Sequence, residues 1–181
     1  MMDMEKERKY VIALGTFDGL HPGHRAVLNA CMALAEELGA ESMVYTFIEN
    51  PRSLFGKTPL ALMTPREKQE KLLSMGIGRV EAAHFTVELA SLSPVEFLEK
   101  LTQAYHPAGF VCGEDYTFGK NAAGTSVLLA RYGEEHGIKT LIVPTVTVRG
   151  SDEKISSSLI REALEKGDTD KAKRLLEGTE L

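Results

Sequence analysis

A short loop of glycines and histidines is the part of this sequence best suited to chemistry. Residues 15–24 read Gly-Thr-Phe-Asp-Gly-Leu-His-Pro-Gly-His and lie between an apolar run and an amphipathic stretch. The glycines allow the backbone to turn sharply and to approach a ligand closely. His21 and His24 stand at the entry to a helix predicted to begin near His24, so both imidazoles can point at one anion. The pattern predicts a phosphate-binding turn, with free N–H groups of the helix adding partial positive charge; a plain tight turn is the alternative.

Three serines near the end of the chain form a second candidate anion site. Ser156, Ser157 and Ser158 lead into an amphipathic segment, and Arg161 follows three to four residues after the last two serines. Residues at that spacing share one face of a helix, and the planar guanidinium fork suits phosphate oxygens. A serine triplet alone is typical of a plain helix cap. The added arginine, together with the first loop, favours an anion site at this helix N-terminus.

Alternating apolar runs and amphipathic stretches must position these residues. The predicted strands are 10–14, 42–47, 79–85, 109–112 and 140–148, and the predicted helices are 24–38, 64–76, 93–105, 126–136, 158–166 and 170–176. This alternation predicts an α/β fold with a mostly parallel five-stranded sheet and helices on both faces. Right-handed crossovers then bring the carboxyl ends of the strands, and the ligand site, to one edge. Since there is no repeat or linker, we expect a single domain over 1–181, with 1–9 as a flexible N-terminus.

Composition excludes several classes of function. The 181 residues carry 21 Lys and Arg against 26 Asp and Glu, a net charge of −5, which argues against a nucleic-acid partner. Cys31 and Cys112 are too few and too far apart for a disulfide scaffold or a spaced metal site. The N-terminal segment lacks the apolar core of a signal peptide, and the longest apolar runs are only strand-sized. We therefore expect no membrane partner and a cytoplasmic location.

The motifs resemble those of a known enzyme family. Gly-x-Phe-Asp-x-x-His-x-Gly-His, at 15–24, is similar to the signature of nucleotidyltransferases, which join a nucleoside triphosphate to a phosphorylated acceptor and release pyrophosphate. Residues 113–120, Gly-Glu-Asp-Tyr-Thr-Phe-Gly-Lys, resemble the Gly-x-Asp-Phe-x-Phe-Gly motif of the bacterial FAD synthetase adenylyltransferase domain. Residues 154–161, Lys-Ile-Ser-Ser-Ser-Leu-Ile-Arg, are similar to the Ser-Ser-x-x-Ile-Arg stretch of that family. The resemblance extends from about Tyr10 to Leu176.

This resemblance implies a Rossmann-like nucleotidyltransferase that transfers an adenylyl group from ATP to FMN, giving FAD and pyrophosphate with Mg²⁺. The attacking phosphate oxygen is already ionised, so the protein needs to supply placement and charge stabilisation rather than a general base. The implied catalytic residues are His21, His24 and Arg161, with the imidazolium form of the histidines favoured by a neighbouring polyphosphate. The implied ATP-binding residues are Gly15, Thr16, Phe17, Asp18, Gly19, Gly23, Ser156, Ser157 and Ser158.

The resemblance also assigns a flavin side and leaves the metal ligands open. Its implied flavin-binding residues are three aromatics that line the ring pocket and two polar contacts: Phe47, Tyr116, Phe118, Asn50 and Asp115. Asp18 either braces its loop through backbone N–H groups or helps to hold the metal, and we expect bracing.

The sequence departs from the family pattern near the acceptor. Residues 48–51 read Ile-Glu-Asn-Pro where many relatives carry a Pro-His-Pro-like segment, and 121–125 read Asn-Ala-Ala-Gly-Thr where relatives often have Arg and then Gly-Asp. Bifunctional relatives continue into a riboflavin kinase domain, for which this chain has no room, so we expect a separate kinase to supply FMN. The alternatives are transfer of AMP or CMP to another phosphorylated acceptor, an inactive nucleotide- or flavin-binding regulator, and a structural domain without a ligand.

Overall fold

A parallel five-stranded sheet forms the centre of the computed structural model, which describes residues 8–179. The strands are β1 (Tyr10–Leu14), β2 (Glu41–Phe47), β3 (Arg79–Ala83), β4 (Pro107–Gly113) and β7 (Lys139–Val143), with a separate short hairpin of β5 (Thr117–Phe118) and β6 (Gly124–Thr125). The helices are α1 (Pro22–Leu38), α2 (Pro65–Ser74), α3 (Val87–Ser91), α4 (Pro94–Tyr105), α5 (Ser126–His136), α6 (Ser157–Glu165) and α7 (Thr169–Glu177). Two 3₁₀ turns cover Pro51–Phe55 and Lys120–Ala122.

The strand order β3-β2-β1-β4-β7 places β1 in the middle of the sheet, with parallel pairing throughout. Alternate residues of β1 face opposite layers, because Ile12 packs among residues of α4 and α5 while Val11 packs among residues of α1 and α2. Both residues are fully buried. The expected α/β architecture with helices on both faces is therefore confirmed. Strands β2 and β3 are added on one side of β1, and strands β4 and β7 are added on the other side. The switch point between β1 and β4 opens a crevice at the carboxyl ends of the strands.

Helices α6 and α7 form a small separate core beside the first loop. Leu62 and Leu176 pack against this core and also against Gly19, where a Cβ would lie 2.8 Å from Leu62 Cδ1. Gly19 has φ +88°, a left-handed conformation that favours glycine. The Arg25 guanidinium, on α1, donates to the carbonyls of Leu20 and Leu176 at 2.8 Å each. The last helix is thus attached directly to the glycine- and histidine-containing loop.

Several predicted boundaries were wrong. The fifth strand, predicted to reach Val148, ends at Val143, because Pro144 follows and has no N–H for the ladder. The first helix begins at Pro22 rather than near His24, since proline is well accommodated in the first helical turn. The third strand ends at Ala83 rather than at residue 85. The expectation of a flexible segment at 1–9 lies almost wholly outside the described residues.

Candidate active site

One cavity of about 560 Å³ opens at the carboxyl edge of the sheet. It has the size of a small-molecule site. Apart from Asp18 and Gly19, every site residue expected from the sequence lines it: Gly15, Thr16, Phe17, His21, Gly23, His24, Phe47, Asn50, Asp115, Tyr116, Phe118, Ser156, Ser157, Ser158 and Arg161. The fold therefore brings the first loop, the serine-bearing helix and the aromatic residues, which are far apart in the sequence, to one place.

His21 is the N-cap of α1 and a neutral donor. Its Nδ1 accepts from the backbone N–H groups of Gly23 at 3.1 Å and His24 at 3.4 Å, so the ring proton belongs on Nε2. Burial, together with the positive charges of Lys154 and Arg25, lowers the pKa of His21 to about 4. Near neutral pH the ring is therefore neutral in the free protein, and the imidazolium expected from the sequence concerns the site with a polyphosphate beside the ring. The first N–H groups of α1 are also not free for an anion, because the His21 ring already caps them.

His24 stacks on His21, with ring centroids 3.7 Å apart and an interplanar angle of 23°. Its Nδ1 is buried and has no hydrogen-bond partner within residues 8–179. Burial, and then the neighbouring charges of His21 and Lys68, lower the pKa of His24 well below its usual value. Phe17, which is only 1% exposed, packs its ring against His24 at 5.3 Å. Phe17 thus supports the imidazole from the core side, and the two histidines form a stacked pair of neutral rings.

Asp18 braces the first loop, as we expected. Its carboxylate accepts from the backbone N–H groups of Leu62 at 3.0 Å and Met63 at 3.3 Å, and its Oδ2 accepts from Arg161 Nη2 at 2.5 Å. The side chains of Asp18 and Arg161 are 13% and 10% exposed. Arg161 Nε also donates to the Leu60 carbonyl at 2.7 Å. The guanidinium expected to grip a triphosphate is therefore largely engaged in holding the loop to α6.

The three serines have different partners. Ser156 is the N-cap of α6, and its hydroxyl accepts from the Leu159 N–H at 3.2 Å. The Ser157 hydroxyl donates to the Asp18 carbonyl at 2.7 Å, which adds a second bond between α6 and the first loop. Ser158 is exposed and lines the cavity. The capping role that the sequence left open is thus shown for Ser156, while Ser158 faces the cavity at the positive end of the helix.

The other end of the cavity is aromatic. Phe47 meets Phe85 edge-on at 5.0 Å, and Tyr116 stacks on Phe118 at 5.4 Å with an interplanar angle of 18°. Phe97 packs behind Phe118 at 5.8 Å. Phe85 and Phe97, which were not among the residues expected on the flavin side, also line the cavity. This end offers flat apolar surfaces that suit a planar ring system.

The two polar residues expected on the flavin side already have partners in the protein. Asn50 Oδ1 accepts from the Arg52 N–H at 3.0 Å and so caps the 3₁₀ turn that follows β2. The Asp115 carboxylate forms an ion pair with Lys154. Both residues line the cavity, and a ligand that contacts Asn50 Oδ1 or the Asp115 carboxylate would share or replace these bonds.

Sequence reasoning missed a buried lysine beneath the site. Lys68 is 8% exposed, and its ammonium donates to the Phe47 carbonyl at 2.8 Å, the Thr16 carbonyl at 3.0 Å and Thr46 Oγ1 at 3.2 Å. Burial lowers the pKa of Lys68. The available signal was its place one helical turn before the buried Leu72, on the apolar face of α2. Its three bonds join the carboxyl ends of β1 and β2, where both strands meet the cavity.

Comparisons with known proteins agree with this geometry. The FAD synthetase family model matches residues 3–159. Bifunctional riboflavin kinase/FMN adenylyltransferases from Listeria monocytogenes and Bacillus subtilis are 34% and 35% identical to this chain over 92% and 95% of its length. The chain spans about half of those relatives, 53% and 54%. A protein from Geobacillus thermodenitrificans is 35% identical over 92% of this chain and 88% of its own length.

A solved structure supports the fold. The crystal structure of a macrolide-efflux protein from Streptococcus pneumoniae superposes with a TM-score of 0.83 at 30% identity, covering 94% of this chain and 55% of that one. Within residues 8–179, no helix is sufficiently long and apolar to cross a membrane. The family model covers most of the chain, including the loop of histidines and the serines at the start of α6. The chain therefore belongs to the FAD synthetase family.

Proposed function

We propose that this chain is an FMN adenylyltransferase, which transfers the adenylyl group of ATP to FMN and releases pyrophosphate. The main support for the proposal is a single observation. The stacked histidines and the N-terminus of α6 line the same cavity as the aromatic residues around Tyr116. One end has the donors that phosphates need, and the other has the flat apolar surfaces that a flavin ring needs. Membership of the FAD synthetase family supports the same assignment.

The reaction requires little covalent chemistry from the protein. A phosphate oxygen of FMN attacks the α-phosphorus of ATP, the bond from that phosphorus to the bridging oxygen of the β-phosphate breaks, and pyrophosphate leaves with the electron pair. The protein must hold the two phosphates in line and stabilise charge as it develops. His21 offers its Nε2–H for this purpose, because Nδ1 is held by the backbone of α1. His24 offers a second ring whose buried Nδ1 has no partner among the described residues.

Magnesium is part of the proposal as the ion that accompanies ATP. Among residues 8–179, no cluster of three His, Cys, Asp or Glu side chains could form a protein cage for a metal. The acidic residues of the motifs are Asp18, Glu114 and Asp115. Asp18 and Asp115 are ion-paired, and the Glu114 carboxylate accepts from the Thr145 N–H and hydroxyl. These residues therefore do not fit a resident metal site, and Mg²⁺, which commonly keeps phosphate oxygens and waters as ligands, would arrive with the nucleotide.

The source of FMN and the cellular location complete the proposal. The Listeria and Bacillus subtilis relatives are named for a riboflavin kinase activity as well, and this chain covers about half of each. We propose that a riboflavin kinase outside these residues supplies FMN. A cytoplasmic location fits Cys31 and Cys112, which are both buried and unpaired.

The test is incubation of the purified protein with ATP and Mg²⁺ and with either FMN or riboflavin, followed by chromatographic separation of the flavins. We expect FAD from FMN and no FMN from riboflavin. A His24→Ala variant is the control for contaminating activity, since it should lose most of the turnover. If wild-type protein consumes ATP only with a different phosphorylated acceptor, the chemistry stands and the acceptor is wrong. If no acceptor yields pyrophosphate, the enzyme assignment fails.

A further inference from the structure

The basic side chains around the cavity differ in how firmly the protein holds them. Arg161 is nearly buried against Asp18, and Lys68 has three acceptors beneath the site. Lys154 is different, because its side chain is 36% exposed and its ion-pair partner, Asp115, is 60% exposed. Exposed ion pairs are screened by water and contribute little to stability. The Lys154–Asp115 pair can therefore open at low cost, while the bonds of Arg161 and Lys68 cannot.

Lys154 lies beside the histidine end of the cavity. Its backbone is fixed by a bridge to Thr147, in the segment between β7 and α6. The next residue along, Ile155, places its carbonyl 3.9 Å from where a Cβ of Gly23 would lie. Lys154 lines the same cavity as His21 and His24, and its positive charge helps to lower the pKa of both rings. Its partner Asp115 precedes the aromatic pair of Tyr116 and Phe118. The ion pair thus joins the two ends of the cavity.

The charges of the substrates favour binding by a cation of the protein that can move. ATP and FMN together bring several negative charges, whereas His21 and His24 are neutral in the free protein and supply hydrogen bonds only. A lysine ammonium is a compact charge on a flexible stem and has three donors. When a phosphate enters, its dianionic oxygens compete with the single carboxylate of Asp115 for that ammonium.

We propose that Lys154 binds a substrate phosphate in this site. In the free protein the Lys154 ammonium is paired with the Asp115 carboxylate, and the substrate phosphate then replaces that carboxylate. The inference rests on the proposed function, since it takes ATP and FMN as the ligands. It assigns Asp115 a competing role: the carboxylate keeps the ammonium in place in the free protein and opposes phosphate binding. The phosphate could belong to either substrate, and the experiment below separates the two.

The experiment measures binding by calorimetry for ligand pairs that differ only in phosphate: ATP against adenosine without divalent cations, and FMN against riboflavin. The informative quantity in each pair is the Kd of the ligand without phosphate divided by the Kd of the ligand with phosphate. Contacts to the rings cancel in this ratio. Lys154→Met should reduce this ratio about tenfold for the phosphate that Lys154 binds, the scale of one charged hydrogen bond. Lys154→Arg should keep most of it. Asp115→Asn should leave the ratio unchanged or raise it, because the competing carboxylate is gone.

A matched control is Lys139→Met, which removes another exposed lysine with one glutamate partner, Glu37, at 2.7 Å and away from the cavity. It should leave both ratios unchanged. An unchanged ratio in Lys154→Met for both pairs overturns the inference. Equal losses in Lys154→Met and Asp115→Asn also overturn it, since a purely structural pair would give that result. These binding measurements need no turnover. If the wild-type protein forms FAD but Lys154→Met leaves the Kd ratios unaltered, the role of Lys154 is refuted while the proposed function stands. Wild-type protein that binds neither phosphate ligand would refute the proposed function as well.

Discussion

Replacing Asp18 with asparagine should destabilise the protein far more than removal of an ordinary surface charge. The carboxylate and the Arg161 guanidinium are 13% and 10% exposed, and the variant leaves that guanidinium without its counter-charge. Breaking such a buried pair on one side costs about 3–5 kcal/mol. Asparagine keeps one acceptor for the N–H groups of Leu62 and Met63, so we expect the lower end, about 3 kcal/mol. For a domain of this size that corresponds to a fall in Tm of roughly 6–12 °C.

The assay is denaturant unfolding followed by circular dichroism, with Glu135→Gln as the matched control. That variant removes an exposed pair between Glu135 and Arg131 at 3.0 Å, whose loss should cost under about 0.5 kcal/mol. Arg161→Met should also destabilise the protein, and the double variant should cost less than the sum, since the two residues form one unit. If Asp18→Asn lies within about 1 kcal/mol of wild type, the pair does not brace the loop. If Arg161→Met leaves stability unchanged but raises the KM for ATP, its guanidinium serves the triphosphate instead.

Three further predictions concern the histidines and the buried lysine. His24→Ala should lower kcat by roughly 10²–10³, the scale for loss of one transition-state donor, whereas a rise in KM alone would make His24 a ground-state contact. Because burial lowers the pKa of His21 to about 4, the unfolded chain binds more protons between pH 6.5 and 4, so stability should fall as the pH drops through that window, by about 3 kcal/mol for this group. The same unfolding measurement on His21→Asn should give a flatter pH dependence, and an identical slope would contradict the account. Lys68→Met should cost about 1–3 kcal/mol, because it leaves the Phe47 carbonyl without its buried donor, while the Thr16 carbonyl keeps the Thr46 hydroxyl; a variant as stable as wild type in urea would show that water replaces the ammonium.

Local sequence patterns predicted the central elements of the fold well. Tyr10–Leu14 is an uninterrupted apolar run, as a central parallel strand requires, and the structure places it in the middle of the sheet. The capping boxes of α2 and α4 are complete, with Thr64 and Glu67 in the first and Ser93 and Glu96 in the second. The patterns also predicted that the first loop and α6 would share one site, and residues of both line the cavity. The strand that follows α5 was predicted too long because its apolar pattern continues after Pro144.

The charge states and partners in the site could not be predicted in the same way. The neutral form of His21 depends on its burial and on its ring accepting from the backbone of α1, which follow from packing rather than from residue type. Spacing places Lys68 on the apolar face of α2, one turn before Leu72, but its three acceptors are defined only when the helix docks under β1 and β2. The pairing of Lys154 with Asp115 joins segments separated in the chain, so only the folded protein reveals it. Similarly, the engagement of Arg161 by Asp18 depends on where α6 packs.

A crystal structure with FMN and a non-hydrolysable ATP analogue would show whether one cavity holds both reacting phosphates. We expect the isoalloxazine against Tyr116 and Phe118, and the α-phosphate between the stacked histidines and Ser158. A triphosphate bound away from His21 and His24, or a flavin ring outside the aromatic end, would contradict that expectation.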